Sequence, residues 1–264
     1  IDSGKLDFTN DLKSAVRNIE FIFLMFDTVV DSNDKVDISN IMETIEMIAP
    51  HLCNDCIILN TSQVPVGTSD ILSSKISEIS PNLKFSIVYS PENLRLGNAI
   101  HLFNNPALPV LGSDDENALE RVKNLLSPLK VNWLCVDLRT AEMCKHALNS
   151  FLATTISFGN EIGNLCDELG IDSSKVADAL KMEPRIGDKA PLLPGMGFSG
   201  GTLARDVQTL RNLGNKLGVE TLLLDGLWSA NQYQNDFVVR SLKKAFGNLD
   251  GKRISILGIT YKAG

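Results

Sequence analysis

Residues 140–169 contain no proline, and Leu148, Phe151, Leu152, Ile156, Ile162, Leu165 and Leu169 recur at helical spacing before Gly170. Apolar side chains three and four residues apart line one helix face, and glycine reaches the left-handed backbone that closes a helix. The run predicts one long helix or two nearly continuous ones, and it divides the chain. Before it, two periodicities alternate. Residues 21–26, 56–60, 85–89, 109–112 and 133–136 read as strands. Between them, Asp37 caps a helix to about Ala49 with Ile38, Ile41, Ile45 and Ile48 on one stripe. A second helix carries Ile71, Leu72 and Ile76, and a third spans 114–126. Such strand, loop and helix units predict a doubly wound α/β domain with a parallel sheet, whose ligands sit at the carboxyl ends of the strands. Beyond the long run, 173–182, 207–217 and 219–246 read as helices, and 253–258 as a strand.

Composition narrows the function classes. The chain is 44% hydrophobic and 22% charged, as ordinary globular proteins are, and nothing in it reads as a membrane span or a signal peptide. A formal charge of −7 argues against a general nucleic-acid binder and for small molecules or other subunits as partners. Five cysteines, an odd count, fit a reducing cytoplasm better than a disulfide framework. Cys53-Asn54-Asp55-Cys56 spells C-x-x-C, but no second pair completes a metal site, so it reads as structural. His51 and His101 stand in polar contexts and His146 beside Lys145, and none forms a recognisable triad or ligand spacing.

Glycines 195, 197, 200 and 201 crowd the stretch 194–206 just before a helix-compatible run. Such a segment suits close approach of backbone to a ligand, with unpaired N–H groups offered to phosphate or an oxyanion. A Gly-rich surface turn is the alternative reading. Thr202 and Asp206 share a face if the helix starts near Thr202.

An ordered series of landmarks carries a resemblance. It runs through Thr28, Ser62-Gln63-Val64-Pro65-Val66-Gly67-Thr68, Tyr89-Ser90-Pro91-Glu92-Asn93-Leu94-Arg95-Leu96-Gly97, Ala141-Glu142 with Lys145 and Asn149, Asn160-Glu161 and Pro184-Arg185-Ile186-Gly187. The Gly-rich loop with Asp206 and Leu257-Gly258-Ile259-Thr260-Tyr261-Lys262 complete it. The series resembles the UDP-glucose/GDP-mannose dehydrogenase family, NAD-dependent enzymes that oxidise a sugar C6 alcohol to a carboxylate. The resemblance implies a partial Rossmann-like domain over 1–139 that lacks its first βαβ unit, a helical central domain over 140–247, and over 248–264 the first strand of a truncated UDP-binding domain. On this expectation the chain is a fragment of a longer protein. Gly195-x-Gly197-x-x-Gly200 matches a dinucleotide fingerprint, but it follows Leu193-Pro194 rather than a strand, so it is not an NAD loop.

The resemblance also implies site residues. In the family a cysteine in the Gly-rich loop traps the intermediate aldehyde as a thiohemiacetal, the second hydride transfer gives a thioester, and water releases the acid. Thr202 stands at that position here, and an unactivated hydroxyl needs an adjacent base where a thiol does not. Lys145 matches the lysine that stabilises the developing oxyanion, Asn149 its hydrogen-bonding partner, and Asp206 the carboxylate that positions or deprotonates water. Thr28, Ser62, Gln63 and Arg205 fall to the cofactor side, Gln63 where many members have a threonine and Arg205 where a lysine is usual. Glu92, Asn93, Leu94, Arg185, Phe198, Gly200 and Gly201 fall to the substrate side. Leu96 replaces a second glutamate found in some members. The expected activity is oxidation of a UDP-sugar with NAD, impaired in its second step, by a homodimer formed through the central helix. A catalytically silent nucleotide-sugar-binding homologue is the alternative.

Overall fold

A computed structural model describes residues 5–26, 28–30, 36–94, 97–199 and 202–258. The chain divides into two compact units, 1–145 and 146–264. The first opens with a short helix α1 (Leu12–Val16) and strand β1 (Phe21–Leu24). The two-residue strands β2 (Val29–Val30) and β3 (Val36–Asp37) pair antiparallel. Next come α2 (Ser39–Ile48), β4 (Cys56–Asn60), α3 (Thr68–Ile79), β5 (Phe85–Tyr89) and α4 (Ala99–Asn104), then β6 (Val110–Gly112), α5 (Glu116–Leu125) and β7 (Leu134–Val136). Among the described residues the main sheet has the order β1-β4-β5-β6-β7.

All of β4 is buried, because helices cover both sheet faces and leave no polar alternation to read. Ile58 packs with Ile41, Ile45 and Ile48 of α2 and Leu72 and Ile76 of α3. Its neighbours Ile57 and Leu59 face the other way, onto Ala118, Leu119 and Val122 of α5. Each buried Ile or Leu contributes about 1.5–3 kcal/mol. The sheet is mostly parallel. β1, β4 and β5 run together, while β6 meets β5 antiparallel through Tyr89 and Gly112 and then pairs parallel with β7. The reversal follows from the link between β5 and β6, whose six-residue α4 buries no side chain and so makes no crossover that packs on the sheet.

Helix α6 (Leu138–Leu169) is a single 32-residue element, and the unit boundary falls inside it. Gly170 closes it at φ +69°, as the sequence predicts. The second unit continues with α7 (Ser173–Lys181), α8 (Leu203–Leu217), α9 (Leu222–Asn235) and α10 (Phe237–Phe246). Its core joins Ala153 of α6, Phe198 of the loop, Ala204 and Val207 of α8 and Leu227 of α9.

Local expectations differ from the structure in three places. Asp37 ends β3 rather than capping α2 in the helical frame, although its carboxylate still accepts from the Ser39 N–H at 2.9 Å. The helix expected over 219–246 is two, since Asp236 closes α9 and its carbonyl then accepts from Arg240 to start α10. Residues 253–258 form no strand: Ile256 and Leu257 are exposed, and no ladder partner among the described residues satisfies the backbone. The rest of the closing landmark, 259–262, lies outside the described residues.

Candidate active site

In the first unit the carboxyl ends of β1 and β4 are stitched together by the residues expected on the cofactor side. The buried Thr28 hydroxyl donates to the Gln63 carbonyl at 2.7 Å, and the buried Ser62 hydroxyl accepts from the Phe26 N–H at 3.0 Å. Asn60, fully buried at the end of β4, accepts from the Ser62 N–H through its side-chain oxygen, while its Nδ2 finds no partner among the described residues. A buried donor of that kind suits a bound polar group, so this strand end fits a dinucleotide. Beside it lies a cavity of about 130 Å³ lined by Phe23, Met25, Thr61, Glu92, Asn93 and Trp133.

The segment after β5 brings in the substrate-side residues. Lys145 of α6, 4% exposed, donates from Nζ to Asn93 Oδ1 at 3.0 Å. Burial pushes the Glu92 carboxyl above the ordinary glutamate value, and the Lys145 charge pulls it partly back. Leu94 is exposed, and Leu96 lies outside the described residues.

Glu142, one turn before Lys145, is fully buried. Its carboxylate accepts from the Gly67 N–H at 2.5 Å and the Ser69 N–H at 2.8 Å. These groups open α3, where Gly67 sits at φ +91° and supplies no side-chain cap. The N-terminus of α3 is thus filled by the chain's own carboxylate. Burial holds Glu142 above the ordinary glutamate range against the pull of those donors.

The second unit centres on Asp206. Helix α8 starts at Leu203, with Thr202 at the N-cap position and exposed, while Asp206 sits in the first turn and is fully buried. Asn149 Nδ2 donates to Asp206 Oδ2 at 2.5 Å, and His146 Nδ1 meets Asp206 Oδ1 at 2.7 Å. His146 is itself fully buried. Sequence reasoning passed over it; the available signal was its place three residues before Asn149, which puts both on one helix face.

Buried amides hold the Gly-rich loop. Asn160 Oδ1 accepts from the Gly195 N–H at 2.7 Å, Gln234 Nε2 donates to the Gly195 carbonyl at 2.7 Å, and Asn231 Nδ2 donates to the Phe198 carbonyl at 2.8 Å. At Gly197 a Cβ would come 2.5 Å from Asn235 Oδ1, so the loop needs glycine there for close packing. Gly200 and Gly201 lie outside the described residues. Phe198 is buried in the core of this unit, Arg205 is buried with its carbonyl accepting from Thr209, and Arg185 is exposed and paired with Glu183 at 2.8 Å. Cys56, buried in β4, has its thiol pushed up to about 11 by burial, and the C-x-x-C cysteines are both free thiols. No helix among the described residues is long and apolar enough to cross a membrane.

A mostly parallel, doubly wound α/β unit followed by a helical one defines the class, a Rossmann-type dehydrogenase architecture. Within that class the chain belongs to the UDP-glucose/GDP-mannose dehydrogenase family. The model of the family's NAD binding domain matches residues 1–130 and that of its central domain residues 139–233. UDP-glucose 6-dehydrogenase TuaD of Bacillus subtilis (strain 168) is 35% identical over 259 residues, covering 98% of this chain and 56% of the relative. The UDP-glucose 6-dehydrogenase of Rickettsia conorii is 30% identical over 266 residues, covering 100% of this chain and 61% of its own. The structure of a UDP-glucose dehydrogenase from Pyrobaculum islandicum superposes with a TM-score of 0.87 at 28% identity, covering 93% of this chain and 58% of that one. The chain spans a little over half the length of these relatives.

Proposed function

We propose that this protein oxidises the C6 alcohol of a UDP-sugar with NAD and is impaired in the second of the family's two oxidations. The observation that carries the reading is the buried Asp206 carboxylate, gripped by Asn149 and His146 four residues beyond a threonine at the nucleophile position. Thr28, Ser62 and Gln63, with Arg205, would hold NAD, which when bound supplies the hydride acceptor. Glu92, Asn93, Leu94, Arg185, Phe198, Gly200 and Gly201 would contact the nucleotide sugar. The Lys145 ammonium stabilises negative charge on the C6 oxygen, and Asn149 supports that charge by hydrogen bonding. Asp206 orients water. Thr202, with no thiolate fraction, traps aldehyde poorly, so the first oxidation proceeds and acid release lags.

Free cysteines support a reducing, cytoplasmic setting. Exposed Phe151, Phe158 and Leu165 along α6 support a homodimer through that helix.

The test counts NADH formed per sugar consumed by full-length protein over a panel of UDP-sugars. One NADH per sugar is expected, and a second from wild type refutes the impairment. Sugar binding with no NADH at all favours the silent homologue, a reading the Thr202 exchange also permits. Thr202→Cys is expected to raise acid formation on the order of tenfold or more.

A further inference from the structure

We propose that His146 is a positioning residue for Asp206, acting as an Nδ1–H donor that fixes one carboxylate oxygen while Asn149 fixes the other. Three observations carry it. His146 Nδ1 and Asp206 Oδ1 are 2.7 Å apart, and both residues are fully buried. An ionised carboxylate only accepts, so the ring nitrogen facing it must carry the proton, which sets the tautomer. His146 and Asn149 stand three residues apart on α6, so one helix face delivers both donors to the two oxygens of a single side chain on α8.

A carboxylate buried in the protein needs donors on its oxygens, and two donors on one rigid helix also fix its plane. The group that orients water is then held in one pose by α6. His146 acts through Asp206 rather than on the sugar, so its removal misplaces the carboxylate and slows turnover more than it weakens binding. The catalytic consequence rests on the function proposed above. The donor role does not.

The two roles of His146, donor and filler, make opposite predictions for substitution. In a His146→Asn variant the side-chain Nδ2–H lies near the place of the imidazole Nδ1–H. His146→Gln carries its donor one bond further out, and His146→Phe keeps the ring volume with no donor. In full-length protein, kcat is expected to fall on the order of 100-fold for Phe and Gln with KM little changed, and to be largely restored in Asn. Thermal unfolding without ligands is expected to follow the same order, with Asn above Gln and Phe. If the Phe variant keeps wild-type kcat, or is as stable as wild type while Asn is the less stable, His146 is packing and the proposal falls. If wild type forms no NADH from any UDP-sugar, the proposed function falls instead, and the unfolding order alone decides for or against the donor role.

Discussion

Glu142 shows what one buried carboxylate does in this fold. It caps a helix that begins 75 residues earlier in the chain at Gly67, and it does so from one turn before Lys145, so the bond that closes α3 also fixes the start of α6. Removing it by Glu142→Ala leaves the N–H groups of Gly67 and buried Ser69 without this partner, at a cost of about 1–3 kcal/mol. Its titration has a definite sign. Burial raises the folded-state value above the ordinary 4.5, so between the two values the folded chain binds more proton than the unfolded one. Stability contributed by this group is therefore complete below the ordinary value and lost as pH rises through the raised one. Urea unfolding of wild type and Glu142→Gln across mildly acidic pH checks this. The free-energy difference, wild type minus variant, is expected to decline as pH rises, and a flat difference contradicts it. From sequence Glu142 was visible only as a family landmark, because nothing local to it names Gly67 as partner.

Helix α6 meets the segment leading to the Gly-rich loop through two glycines. A Cβ at Gly159 would lie 2.6 Å from the Leu192 carbonyl oxygen, and one at Gly163 would lie 2.4 Å from Pro194 Cβ. Inside a helix alanine is worth about 1 kcal/mol over glycine, so retaining glycine here marks close packing rather than tolerance. Gly159→Ala is expected to lower the unfolding midpoint, with overpacking of about 1–3 kcal/mol outweighing the propensity gain. Gly226 on α9 has open space around it and serves as the contrast, where the same substitution raises the midpoint. Paired melting curves decide it; a rise at both sites refutes the contact. At this scale the apolar stripes of α2 and α6 and the glycine stop after α6 were legible, since each is written within a few residues. The break at Asp236 was not, because apolar spacing continues across it.

At the scale of the molecule, the exposed side of α6 carries Phe151, Phe158, Leu165 and Leu169 at 70%, 48%, 61% and 72% exposure, with successive spacings that return them to one stripe. The homodimer proposed through this helix predicts that Phe151→Glu combined with Phe158→Glu halves the mass measured by light scattering, while far-UV circular dichroism stays helical. A wild-type monomer at micromolar concentration contradicts the assembly.

By itself the sequence determined the α/β start, the long helix, the helical second unit and the family, because burial periodicity and motif order are local properties that survive any arrangement of the elements. Where Thr202 stands was also readable, since position within a motif needs no coordinates. The tertiary structure alone decided which groups meet. Asp206 and His146 are 60 residues apart and Gly67 and Glu142 are 75, and such pairs exist only when packing brings two helices or a helix and a loop together. Side-chain hydrogen bonds act over about 3 Å, a distance that spacing along a chain does not encode across elements.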